Sequence, residues 1–279
     1  LRLLMSNALG IDVSIEDISE KTAALALQGP TAGALLKKIA QADVANLKYF
    51  RVTRGNIGGV PVDISRTGYT GDLGYEIWIP WSEAVKVWDA LMENGRPFDI
   101  HAAGMLALDV ARIEAGLILI EVDYNSSKKA LIPEQRYSPY EIGLGRLVHL
   151  DKPHFIGREV LADENRRGPK RRLVGLEVDW TDVEKRFESA GLTPQVQSTA
   201  SRTAVPLFSN GAQVGKVTSS TWSPILKKMV GLASVVSEHA ATGTRLEMEL
   251  TVEATRSKVG VKVVDLPFYN PPRKTKTPV

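Results

Sequence analysis

Apolar and polar positions in the first third of the chain alternate at a period of two in some stretches and recur at three- and four-residue spacing in others. Ile11-Asp-Val-Ser-Ile15 alternates, and Thr22-Ala-Ala-Leu-Ala-Leu27 does so more weakly, which predicts two strands around a charged turn. Gln28-Gly-Pro30 ends the second strand, and Thr31 stands where a helix over 32–39 takes its N-cap. Tyr49–Thr53 and Val60–Ile64 predict hairpin strands flanking the glycine-rich segment 55–59. Tyr75-Glu-Ile-Trp-Ile79 puts Glu76 and Trp78 on one strand face, with Tyr75, Ile77 and Ile79 on the other. Helical spacing follows. Ser82 is a candidate cap for a helix over 83–93 that buries Val85, Trp88, Leu91 and Met92. A second helix over 102–114 turns Leu106, Val110 and Ile113 inward. Asp109 and Arg112 lie one turn apart on a neighbouring face, the spacing of an ordinary intrahelical ion pair.

Beyond Gly116 the pattern loosens. Residues 121–140 are polar and irregular, 141–150 read as a strand, 159–162 as a short helix, and 163–170 as a linker. Six short strand candidates then run through 172–178, 204–208, 212–218, 229–236, 245–252 and 259–264, separated by turn signals such as Ser209-Asn-Gly211. The fold class is therefore α+β, with an α+β region over 1–165 followed by a C-terminal all-β barrel domain over 171–270.

Composition narrows the function classes. The 279 residues are 43% hydrophobic and 24% charged, as in an ordinary soluble protein of about two domains. No apolar run approaches the ~18 residues of a membrane-spanning helix. The net charge is +3, and the basic clusters (Arg166-Arg167, Lys170–Arg172, Arg273–Lys276) are short and lack interleaved aromatics, which argues against nucleic acid as a partner. The absence of cysteine excludes disulfides, thiol nucleophiles and cysteine-held metals, and fits a reducing, cytoplasmic setting. Four scattered histidines show no metal-ligand spacing, so no metal site is expected.

The chemistry concentrates in Ser65–Pro80. Three glycines (Gly68, Gly71, Gly74) separate two strand-like segments, and Arg66, Tyr69, Asp72, Tyr75 and Glu76 crowd the turn. Glycine permits tight turns and close approach of a backbone to another group. A carboxylate on such a strand needs a polar partner if it is buried. From these residues alone a solvated hairpin and a ligand site stand equally open.

Several segments in order break that tie. Leu25–Pro30, Arg66–Pro80, Ala111-Arg-Ile-Glu-Ala-Gly-Leu117, Ser138–Gly145, Phe155–Arg158, Gly215–Pro224 and Pro267-Phe-Tyr269 together resemble the aminomethyltransferase family, the T-protein of the glycine cleavage system and its relatives. The resemblance spans nearly the whole chain. It implies a three-domain cloverleaf with tetrahydrofolate in its central opening, and a folate-dependent one-carbon transferase. The one-carbon donor would be a lipoyl carrier protein or a small methylated substrate. A folate-dependent demethylase, or the folate module of a larger flavin-linked dimethylglycine- or sarcosine-oxidising enzyme, are the alternatives. A folate-binding relative that assists iron–sulfur protein maturation fits less well, because it carries a cysteine motif. The resemblance also implies a compartment, cytoplasmic or the mitochondrial matrix.

By the same resemblance Glu76 matches the pterin-binding carboxylate, Tyr69 a pocket wall, Arg112 the arginine of the Arg-x-Glu-Ala-Gly motif, and Arg273 a residue closing the pocket. Trp222 lies in a motif near the folate. The chain departs from the family in three places. The upstream segment that carries the catalytic acid has no counterpart, so residues 1–45 are expected to be the end of a truncated subdomain and no catalytic residue is assigned. The segment 121–137 is longer than usual. Arg146 stands where an aromatic is common.

Overall fold

The computed structural model describes residue 10 and residues 12–276. They form two compact units. One comprises the chain up to Gly68, Asp72–Ala102 and the tail from Pro271; the other comprises Tyr69–Gly71 and Ala103–Asn270.

The first unit is an antiparallel sheet covered on one face by two helices. Strands β1 (Thr22–Gln28), β2 (Val52–Ile57), β3 (Val60–Ser65) and β4 (Gly74–Pro80) lie in the order β1-β4-β3-β2. Helices α1 (Ala32–Ile39) and α2 (Ala84–Gly95) complete it. Alternation decides which side is which. Leu27, Ile64, Tyr75, Ile77 and Ile79 point into one core with Leu35 and Leu36 of α1 and Val87 and Leu91 of α2. The opposite face carries small and polar groups. Ala26 and Ser65 flank Glu76 in one register row, and Ala24 and Asp63 flank Trp78 in the next.

Helix α1 and the three strands β1, β3 and β4 lie close to where the sequence puts them. Other local readings shift. Residues 12–15 form no strand; Val13 and Ile18 are exposed there, and Ile11 lies outside the described residues. Thr31 caps nothing and donates instead to the Phe98 carbonyl at 3.3 Å. The β2–β3 turn is the pair Gly58-Gly59, both at positive φ, while Gly55 sits inside β2 because Ala42 crosses it closely. Ser82 belongs to a 3-10 turn, Trp81–Glu83, with no side-chain cap. Helix α2 turns Val87 and Leu91 inward and leaves Val85 exposed, so its buried face is rotated from the expected stripe.

The second unit is built on a closed six-stranded antiparallel barrel. Its strands are β5 (Arg171–Val178), β6 (Val205–Ser209), β7 (Ala212–Ser223), β8 (Lys228–Val236), β9 (Arg245–Val252) and β10 (Thr255–Val264), in the order β10-β5-β8-β7-β6-β9. All six fall on the sequence-derived strands. Leu207, Val217, Ala233, Val235, Met248 and Val261 fill its interior. Helix α3 (Met105–Glu114) packs outside β7 and β8, where Ile113 meets Val230 and Leu232.

Three expectations fail in this unit. Residues 141–150 form turns and a 3-10 helix, since Gly143 adopts φ +74°, which no strand accommodates. The presumed linker is mostly helix: α4 spans Arg158–Arg167 and ends at Gly168. Helix α5 (Trp180–Ser189) was not anticipated, although Asp179 before it accepts from the Thr181 and Asp182 amides, an ordinary N-cap.

Candidate functional site

Glu76 and Arg273 lie in the first unit, Tyr69, Arg112 and Trp222 in the second. The turn between β3 and β4 is organised by Gln28 at the end of β1. Its Nε2 donates to the Thr67 carbonyl at 3.3 Å and the Tyr75 carbonyl at 3.2 Å. A Cβ at Gly68 would stand 2.0 Å from Gln28 Oε1, and one at Gly74 would stand 1.9 Å from it. The two glycines are therefore the space into which the Gln28 amide fits.

That anchoring leaves Glu76 on the open face of the sheet, half-buried, as the alternation requires. Its Oε2 accepts from Thr67 Oγ1. Thr67 Oγ1 lies 2.8 Å from Ser65 Oγ, which in turn is 3.4 Å from Trp78 Nε1. Alanines at 24 and 26 leave room beside the carboxylate, and the Trp78 ring is 43% exposed next to it. A carboxylate flanked by an indole and bare of bulky neighbours on one side suits a flat heterocycle with paired N–H donors.

The tail from Pro271 is held in the same unit by a buried cation. Arg66 is fully shielded, and its Nη1 donates to the Leu47 carbonyl at 3.1 Å. Its Nη2 meets the carbonyls of Arg273 and Lys274 at 3.4 Å each, and that of Lys276. Arg273 then makes a fork to Asp72, with Nε–Oδ1 and Nη2–Oδ2 both 2.6 Å.

In the second unit Arg112 lies in a closed network. It is 1% exposed. Nε donates to Asp109 Oδ1 at 2.8 Å, Nη1 to Asp123 Oδ2 at 2.5 Å, and Nη2 to Ser219 Oγ at 2.9 Å. Asp123 also accepts from the Leu119 amide, Thr218 Oγ1 and Ser219 Oγ. Asp109 takes a further bond from Arg202 Nε at 2.7 Å. Burial pushes the Asp109 carboxyl up, but the bonds and charges of Arg112 and Arg202 more than reverse this and hold it below the usual carboxylate range.

Tyr69 stands beside this network and donates to the Ile118 carbonyl at 2.5 Å. Burial raises its phenol; the Arg112 charge opposes the rise, and those of Asp123 and Asp109 add to it. Trp222 is elsewhere. Ser219 and Ser223 on β7 face outward, to Arg112 and to Glu114, whereas Trp222 between them points the other way. It packs edge-to-face on Trp180, with centroids 5.0 Å apart, at a groove of about 520 Å³ beside α5.

The structure thus places Tyr69 within electrostatic reach of the Arg112 network, gives Arg273 an internal partner, and sets Trp222 apart from Arg112. It also adds residues the sequence reading passed over: Gln28, Ser65, Thr67, Asp123 and Ser219. Ser65 and Thr67, two apart and ahead of the glutamate strand, were a usable signal. Asp123 falls within the long segment 121–137, where nothing in the spacing marks it as the partner of Arg112.

Comparison with known proteins identifies the family. The GCVT N-terminal domain matches residues 1–152, and the glycine cleavage T-protein C-terminal barrel domain matches residues 171–270. The chain belongs to the glycine cleavage T-protein family. An aminomethyltransferase of Bacillus pumilus is 36% identical over 260 residues, covering 92% of this chain and 63% of the relative. An aminomethyltransferase of Halalkalibacterium halodurans is also 36% identical, covering 96% of this chain and 69% of the relative. The crystal structure of glycine cleavage system aminomethyltransferase T from Bartonella henselae superposes with a TM-score of 0.68 at 26% identity, over 89% of this chain and 60% of that one. This T-protein family member thus spans 60% to 69% of the length of these relatives, and its barrel is the family's C-terminal barrel. Among the described residues no helix is long and apolar enough to cross a membrane.

Proposed function

We propose that this chain carries the folate-binding part of a tetrahydrofolate-dependent aminomethyltransferase. The observation that carries the reading is the placement of Glu76: a carboxylate on an open sheet face, oriented by Thr67, beside Trp78 and two alanines. The amino-pyrimidinone edge of a reduced pterin offers two adjacent donors to such a carboxylate, and the two together form a fork. Arg273, steadied by Asp72 in the same unit, supplies a guanidinium donor for the anionic glutamyl end.

Arg112 takes a different role in this reading. Its three nitrogens are spent on Asp109, Asp123 and Ser219, so its role is to tie helix α3 to the 119–123 turn and to β7.

The reaction moves the methylene carbon of an aminomethyl group from the sulfur of a lipoyl carrier protein to N5 and N10 of tetrahydrofolate. The two protons released by those nitrogens leave with ammonia and with the freed thiol. The role of this chain is to bind and orient the acceptor, which converts an encounter of two reactants into a positioned one. The test is calorimetric titration with tetrahydrofolate. Glu76→Gln is expected to weaken binding by about 1–3 kcal/mol; unchanged affinity removes the assignment.

A further inference from the structure

We infer that Ser65 and Thr67, in a chain of bonds that starts at Trp78, are positioning residues that hold the Glu76 carboxylate in one orientation and thereby select the ligand edge it grips. The inference rests on the reading of Glu76 as the pterin-binding carboxylate. An indole N–H only donates, and an ionised carboxylate only accepts. Between these two fixed ends the hydroxyl protons have one arrangement. Thr67 must give its proton to Glu76 Oε2, so it can only accept from Ser65. Ser65 must then give its proton to Thr67, and is left to accept from Trp78 Nε1. The alternative for Ser65, donation to the Glu76 carbonyl, is the longer contact at 3.4 Å against 2.8 Å to Thr67. Ser65 is 6% exposed, so water competes poorly for its proton.

A chain of bonds aligned in one direction polarises each member, and it holds the carboxylate in one rotamer. Its consequence is selective. Glu76 presents acceptors only, so a ring with an amino group next to a ring N–H is matched. A ring with an oxo group in place of that amino group sets oxygen against oxygen and is rejected. Ser65 and Thr67 touch no ligand in this account and act through Glu76.

Anaerobic equilibrium titration tests the idea with three probes: tetrahydrofolate, the bare tetrahydropterin head group, and the head group with its 2-amino group replaced by oxygen. Thr67→Val is expected to weaken tetrahydrofolate and tetrahydropterin by the same factor, about tenfold, and to shrink the preference for the amino ring. Thr67→Ser should restore both, and Ser65→Ala should give a smaller loss of about threefold. Thermal unfolding shows which variants fold, and Thr67→Ser with Ser65→Ala carry the test if Thr67→Val does not. Wild-type affinity and ring preference in Thr67→Val and Ser65→Ala, where Glu76→Gln does weaken binding, overturn the inference and leave the Glu76 reading intact. No effect of Glu76→Gln removes both.

Discussion

Arg112 Nη1 and Asp123 Oδ2 meet at 2.5 Å with both side chains sealed from water. A charge pair so placed gains little net stability from being there, because desolvation offsets the attraction, but loss of one member strands the other. Arg112→Ala leaves buried Asp123 without its cation and Asp109 with Arg202 alone. The expected loss is about 3–5 kcal/mol in chemical denaturation. Arg112→Met combined with Asp123→Leu should cost less than either single change. A double variant as damaged as the sum of its parts would contradict the pairing.

Asp109 links this network to acid stability. Its folded pKa lies below the ordinary 3.8, so its stabilisation is complete above that value and is lost as pH falls through the folded one. Below the ordinary pKa the unfolded chain takes up a proton that the folded protein resists, which favours unfolding. Denaturation curves from pH 6 downward should therefore show an acid-sensitive component below about pH 4 in the wild type. That component should be reduced in Asp109→Asn, measured against each protein's own stability at pH 6. Parallel pH profiles would count against Arg112 and Arg202 as the cause.

The Gln28 amide and Gly74 compete for one volume. Gly74→Ala should expel that amide, break its bonds to the Thr67 and Tyr75 carbonyls, and cost about 1–3 kcal/mol. Gln28→Ala alone should cost a similar amount. The combination should cost little more than Gly74→Ala by itself, since the bonds are lost once. Additive losses in urea titrations would show that Gly74 is needed for something other than Gln28.

Where the chain buries apolar groups on a regular period, its fold was legible. The barrel strands and the Glu76/Trp78 face followed from alternation, and the Ser209-Asn-Gly211 turn from Asn210 and Gly211, both at positive φ. Helix α3 shows where that logic stops. Its expected stripe included Leu106, which is 63% exposed, while Asp109, Arg112 and Glu114 are buried. Spacing identifies an intrahelical pair but not the partners, Asp123, Arg202 and Ser219, that make burial of those charges tolerable. Likewise 141–150 had the apolar content of a strand, but Gly143 at positive φ turns the chain there. For the candidate site, motif order singled out Glu76, and alternation put it on the open sheet face where the structure has it. The hydroxyls that orient Glu76 were visible in the sequence, yet gained meaning only once β3 and β4 were in register.

The Arg66 cage has an evolutionary corollary. The atoms it grips in the tail are main-chain oxygens of Arg273, Lys274 and Lys276, which every amino acid supplies. Side chains there can drift without loosening the grip, whereas inserting or deleting a single residue between 271 and 276 would put the oxygens out of step with the guanidinium. For the grip of Arg66 itself, spacing in this segment therefore counts for more than spelling, while the Arg273 side chain answers separately to Asp72.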